Sequence, residues 1–189
     1  GIPAEPLFRS RSEAYFSLVN NNGNYSVEKG EIKVNGTVSF GISAFDQADG
    51  SQNKNGVYSI ELYADNGLIF SVLFDRYSYD ETRYINSLID YKKYVHDKVR
   101  YVRSEIDEYN ILDIYGKKNG YVTVNELDRV AMKYVVKDYF GNTATVNFTL
   151  VGTEPIKEYT DNQYSRAYYR VDGKNEVEDR DRKSGSAGM

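Results

Sequence analysis

Residues 37–74 read TVSFGISAFDQADGSQNKNGVYSIELYADNGLIFSVLF. Val38, Phe40, Ile42 and Ala44 alternate with Ser39, Gly41 and Ser43, the period of two that marks a strand with one buried face. A polar loop follows, and then Tyr58, Ile60, Leu62 and Ala64 alternate with Ser59, Glu61 and Tyr63. Asp65-Asn66-Gly67 supplies residues that tolerate positive φ and turns the chain into a third apolar strand, Leu68 to Phe74. Three closely spaced strands, none able to cover its own apolar face, must pack against a second layer.

Outward from this stretch the same reading holds. Glu13 to Val19 predicts a short first strand, Asn20-Asn21-Asn22-Gly23-Asn24 a turn, Tyr25 to Lys33 a second strand, and Asn35-Gly36 the turn into the central one. Val99 to Val102 and Ile111 to Tyr115 are brief strands, and Lys118-Asn119-Gly120 reads as a hairpin turn into Tyr121 to Val124. Val130, Met132, Tyr134 and Val136 then alternate with Ala131, Lys133, Val135 and Lys137, Asp138 to Asn142 turns, and Ala144, Val146, Phe148 and Leu150 alternate again. About eight short strands with Gly/Asn turns make the chain all-β, an immunoglobulin-like β-sandwich, with a barrel as the alternative. One segment breaks the pattern. Tyr84, Ile85, Leu88, Ile89, Tyr91 and Val95 fall at three- and four-residue spacing, which predicts one short helix or irregular excursion over about 80–95, with Ser78 and Glu81 as a capping box. Residues 1–12 read as an extended lead-in, 13–152 as the sandwich, and 153–189 as a partly disordered extension that ends as a cut inside a longer protein would.

Composition narrows the function classes. The chain has 189 residues, a formal net charge of −4 and charges of both signs scattered along it, which disfavours a nucleic-acid partner and its basic stripe. With no Cys, disulfides, thiol nucleophiles and thiolate zinc sites are excluded. No apolar run approaches the roughly 20 residues of a transmembrane helix. His96 is the single histidine, too few for a hydrolytic zinc site or a Ser/Cys-His pair by itself. Carboxylate pairs such as Asp75 with Asp80, or Glu105 with Asp107, read as solvated loop charges rather than glycosidase acids. The sequence therefore reads as a non-enzyme that needs no cofactor.

Two sets of residues remain as sites. The loop between the first two strands of the quoted stretch places oxygen ligands at Asp46, Asp49, Ser51, Asn53 and Asn55. It reads either as an ordinary connection using Asx turns or as a structural calcium site, although the spacing misses the EF-hand pattern. The second set is an interaction surface of Tyr77, Tyr79, Arg83, Tyr84, Tyr91 and Tyr94 on the excursion. Aromatics there, or at Tyr164, Tyr168 and Tyr169, would serve a protein interface or a stacked sugar.

Three runs carry a resemblance. SFGISAFDQADGSQNKNGVYSIELYADNGLIFS, FDRYSYDETRYINSLIDYKKY and MKYVVKDYFGNTATVNFTL are similar to the non-catalytic β-sandwich region that follows the peptidase domain in Bacteroidetes cell-wall hydrolases of the lysostaphin/LytM-like zinc endopeptidase family. The likeness spans roughly Glu31 to Val151. The family's zinc ligands, a His-x-x-x-Asp motif and a His-x-His motif, have no counterpart here, so no catalytic residue carries over. What the resemblance implies is an accessory domain of a secreted, cell-surface or periplasmic peptidoglycan endopeptidase, with the adjacent peptidase domain of the same chain, or peptidoglycan itself, as partner. A stand-alone carbohydrate- or surface-binding module, calcium-dependent or not, is the alternative.

Overall fold

A computed structural model of the chain describes residues 14–46, 55–76 and 78–154. Strands β1 Leu18–Asn21, β2 Asn24–Val34, β3 Gly36–Val38, β4 Gly41–Ile42, β5 Ser59–Ala64 and β6 Gly67–Leu73 are followed by a helical excursion. Then come β7 Val102–Arg103, β8 Tyr115–Lys118, β9 Val122–Val124, β10 Arg129–Lys137 and β11 Thr143–Gly152. All belong to one of two units of the chain, Leu18–Lys157; the other, Gly1–Ser17 with Glu158–Met189, is described only at 14–17. The fold is all-β and sandwich-like with short helices, as the alternation requires.

The larger layer is a seven-stranded sheet in the order β1-β2-β11-β10-β5-β6-β8. Its central row, β11-β10-β5-β6, is antiparallel throughout and has the G-F-C-C′ order of a variable-type immunoglobulin sheet. β2 joins β11 in parallel and bulges at Gly30, which sits at φ +67. The β5–β6 hairpin closes through Asp65 and Asn66, both at positive φ, the two-residue geometry that matches strand twist. Asp65 also holds the neighbouring strand, its carboxylate accepting from the Ala131 N–H at 2.9 Å. Along β5, β6, β10 and β11 the residues of one parity are buried: Ile60, Leu62, Phe70, Val72, Met132, Tyr134, Val136, Val146, Phe148 and Leu150. Each contributes about 1.5–3 kcal/mol by leaving water, so the sheet has one strongly preferred face.

The second layer differs from a single Thr37–Ala44 strand. The chain forms β3 against β9 and then β4 against β7, so consecutive halves of one strand have different partners. Ser104 spans the junction. It is almost fully buried; its N–H donates to the Phe40 carbonyl at 2.8 Å, and its hydroxyl contacts the Phe40 and Gly120 carbonyls at 2.9 and 3.2 Å. The Phe40 N–H in turn donates to that hydroxyl at 3.1 Å. The Lys118-Asn119-Gly120 segment is not a hairpin turn. β8 pairs with β6 and β9 with β3, so the chain crosses between layers there.

The excursion is a 3₁₀ turn, Tyr79–Tyr84, then α1 Ile85–Leu88 and α2 Tyr91–Asp97. The Ser78/Glu81 capping box does not form, since Ser78 makes no side-chain cap bond. The cap that does form is Asp90, whose carboxylate accepts from the Lys93 N–H at 3.0 Å and starts α2. Spacing read the buried end correctly: Leu88 and Ile89 enter the core, and Tyr84 and Ile85 pack against it. Tyr91 and Val95 are instead half-exposed, because the extended break at Ile89 turns α2 outward.

Tyr134 carries the one buried side-chain polar atom without a hydrogen bond among the described residues, its hydroxyl. Burial pushes this phenol well above its usual range. Tyr115 is pushed up to about 12, chiefly by burial. Both folded values lie above the 10.0 of a free tyrosine, so the unfolded chain releases these protons first. What these two groups contribute to stability is therefore full below pH 10.0 and is lost as pH rises toward 12. Tyr134→Phe removes an unsatisfied hydroxyl and one titrating group. It is expected to leave stability at neutral pH unchanged, or raised by up to about 1 kcal/mol, and to shift the alkaline unfolding midpoint upward. Urea melts at neutral pH and an alkaline titration followed by circular dichroism check both. A neutral-pH loss above about 1 kcal/mol would show that the hydroxyl is bonded.

Candidate functional site

The excursion is anchored by a residue that spacing did not single out. Asn110 is buried, and the two N–H groups of its amide are shared among three acceptors, the Tyr84 carbonyl at 3.2 Å, the Ser87 hydroxyl at 2.8 Å and the Tyr115 hydroxyl at 3.0 Å. Its carbonyl accepts from the Leu112 N–H at 3.0 Å. One side chain thus ties α1 to the 110–115 segment and to β8, where Tyr115 packs on Phe70 with ring centroids 6.2 Å apart. A second tie comes from the backbone. Ile89 bridges Val102, and the Asp90 N–H donates to the Tyr101 carbonyl at 2.9 Å. No sequence signal marks Asn110, because an Asn between Tyr109 and Ile111 looks like any loop residue.

On this fixed base the outward side chains are aromatic and cationic. Tyr79 is 91% exposed, and Tyr91, Tyr94 and Val95 face solvent on α2. The Arg83 guanidinium lies over the Tyr84 ring at 4.9 Å and donates to its hydroxyl at 2.9 Å. Tyr91 and Tyr94 lie 6.5 Å apart, and Arg100 stands over Tyr94 at 5.8 Å. Stacked pairs of this kind restrict the rotamers of the long cations. Tyr109 and Ile111, also exposed, flank the Asn110 anchor. Of the interaction residues read from sequence, Tyr79, Arg83, Tyr84, Tyr91 and Tyr94 share this excursion, whereas Tyr77 lies outside the described residues.

The titratable groups here are paired locally. Lys93 reaches Asp97 at 3.1 Å and His96 bonds the same carboxylate, which holds Asp97 below its ordinary range, the His96 bond contributing most. His96 itself is on the surface, with its side chain 87% exposed. Glu105 is part-buried, and Arg103 and the Ser39 hydroxyl both donate to it. Glu105 is therefore a paired, part-buried carboxylate of the second layer and not the solvated loop charge that the sequence suggests.

Of the five oxygen residues read as a calcium loop, Asp49, Ser51 and Asn53 lie outside the described residues, as do Tyr164, Tyr168 and Tyr169. Asp46 and Asn55 pair through their backbones, with reciprocal N–H to carbonyl distances of 3.0 and 2.7 Å, and so close the loop as a strand connection does. Among the described residues no three His, Cys, Asp or Glu side chains gather as a metal-holding group. Among the same residues no helix is long and apolar enough to cross a membrane.

Fold and surface together define a class: a sandwich-like all-β domain presenting an anchored aromatic excursion. Compared with family models, curated proteins and solved structures, the chain matches none of them.

Proposed function

We propose that this chain is a non-catalytic interaction module that docks a neighbouring domain through the excursion at 79–100. One observation carries the reading. Tyr79, Tyr91 and Tyr94 are exposed, with Arg100 stacked on Tyr94 and Arg83 on the part-buried Tyr84, on a segment that Leu88, Ile89 and Asn110 pin into the core. Tyr and Arg are the residue types that dominate binding energy at interfaces, and pre-ordering lowers the cost of using them. The occupant is the zinc peptidase domain that the sequence resemblance implies in the same polypeptide, at the cell surface, in the periplasm or outside the cell. The module then contributes interface area and orientation, and the bond chemistry belongs to the neighbour.

Sequencing the reading frame around this segment supplies the neighbouring domain. Its affinity for the isolated module is then measured by calorimetry with the native surface and with Tyr79→Ala/Tyr94→Ala. The double variant is expected to bind at least about tenfold more weakly, a loss of about 1.4 kcal/mol or more. Equal affinities, or zinc-dependent muropeptide cleavage by the isolated module, would end this reading.

A further inference from the structure

The outward face of the large sheet carries a second surface that does not depend on the excursion. Tyr58, Ser59, Glu61, Ser71, Lys137 and Tyr139 line an open groove of about 380 Å³, shared by β5, β6, β8 and the β10–β11 turn. Its volume lies within the range of about 300–1,000 Å³ found for small-molecule sites.

The turn at its end is over-determined by three residues. The Asp138 N–H donates to the Asn142 carbonyl at 3.1 Å, and the Gly141 N–H to the Asp138 carbonyl at 3.3 Å. The Asp138 carboxylate accepts from the Asn142 backbone and side-chain N–H groups at 2.8 and 2.6 Å. Gly141 supplies φ +90. None of this requires aromatic residues at 139 and 140, yet Tyr139 is 76% and Phe140 85% exposed. Neither ring is loose. Tyr58 meets Tyr139 edge-on at 5.6 Å, and Tyr139 meets Phe140 edge-on at 5.7 Å, so the three form a ladder standing at the groove's end.

The floor beside the ladder is polar. Ser71 lies against Gly116, where a Cβ would stand 2.6 Å from its hydroxyl oxygen, and that oxygen accepts from the Lys117 N–H at 2.9 Å. Lys137 and Glu61 approach to 3.9 Å, close enough to offset each other's charge and too far apart for a direct hydrogen bond. Glu61 also accepts from the Tyr63 hydroxyl at 3.0 Å. The groove therefore offers an ammonium donor, a carboxylate acceptor, the Ser59 hydroxyl and the remaining O–H donor of Ser71, while Asp138 at its end adds negative charge. An anionic polymer finds no net attraction there.

From this arrangement we infer that the groove is a saccharide subsite, taking an uncharged pyranose unit of a glycan. The C–H face of the sugar would stack on the Tyr139 ring, and its hydroxyls, each donor and acceptor, would bridge Lys137 and Glu61. A pyranose has one apolar face and a polar rim, and the groove has the same division.

The experiment is an NMR titration of the ¹⁵N-labelled chain with β-1,4-linked N-acetylglucosamine tetrasaccharide and, separately, the corresponding glucose tetrasaccharide. Shifts are expected at residues 58–61, 71–73, 116 and 137–141; the better of the two ligands reports whether the N-acetyl group is read. Tyr139→Ala is expected to weaken binding about tenfold or more and Tyr139→Phe to retain it, with Lys137→Met as an independent second loss. Tyr94→Ala on the excursion leaves sugar binding unchanged, so failure of the saccharide subsite and failure of the docking reading are separable. No shift with either sugar, shifts confined to 79–100, or undiminished binding by both Tyr139→Ala and Lys137→Met would overturn the assignment.

Discussion

Gly120→Ala is expected to destabilise the fold by about 3 kcal/mol or more, a large effect for the addition of one methyl group. The cause is space rather than backbone angle. A Cβ at 120 would lie 2.0 Å from the Ser104 carbonyl oxygen, 2.6 Å from its carbonyl carbon and 2.7 Å from its Cβ, and backbone atoms cannot rotate away as a side-chain tip can. Ser104 would have to move, and with it the hydroxyl contacts to Phe40 and Gly120 that join β3 and β4 into one run. Displacing them leaves buried polar groups unpaired, at about 1–3 kcal/mol each. Gly56→Ala is the control, because nothing lies within 4 Å of a Cβ there. It should be neutral or slightly stabilising through the unfolded chain. Urea unfolding midpoints at unchanged slope read both variants, and a Gly120→Ala midpoint equal to that of Gly56→Ala would show that the crossing is not tight.

What the sequence discloses follows from where its signals are local. The β5–β6 and β10–β11 hairpins were legible because alternation and turn chemistry act over neighbouring residues. Ile60, Leu62, Met132, Tyr134, Val136, Val146, Phe148 and Leu150 are buried in the parity the pattern assigns them. β3 and β4 were not legible as two pieces. Their division depends on which distant strand each half meets, and neither 102–103 nor 122–124 leaves a mark near residue 39. For the same reason Lys118-Asn119-Gly120 has hairpin composition but serves a crossing, its glycine being required by Ser104 and not by a turn. In the excursion, spacing found Leu88 and Ile89 in the core and Tyr84 and Ile85 packed against it, but carried the same face through to Val95. The extended Ile89 and the αL Lys98, at φ 58, bound a separate helix that the period alone cannot show. The aromatic surface was legible as composition; the Asn110 anchor that gives it a fixed shape was not.

Asn110→Ala is expected to cost about 2–4 kcal/mol and to loosen the excursion before the sheet. The substitution leaves the Leu112 N–H without its acceptor and removes the donor shared by Tyr84, Ser87 and Tyr115. Because three of these four partners lie on or next to α1 and β8, local opening should reach 84–97 first. Native-state hydrogen exchange is expected to show faster exchange for the Tyr94 and Lys98 amides, which donate to the Asp90 and Tyr94 carbonyls, than for the amides of β10 and β11. Asn110→Asp separates anchoring from simple loss of volume. Its carboxyl keeps an oxygen for Leu112, but at neutral pH it sets a buried negative charge against the Tyr84 carbonyl. Burial raises the pKa of such a group above the unfolded value, so the folded state binds its proton more tightly and stability is regained as pH falls through the folded pKa. Relative to the native chain, Asn110→Asp should therefore recover on acidification, whereas Asn110→Ala should not. If both variants track the native protein at every pH, with exchange at 84–97 unchanged, the excursion is held by Leu88 and Ile89 alone and Asn110 has no anchoring role.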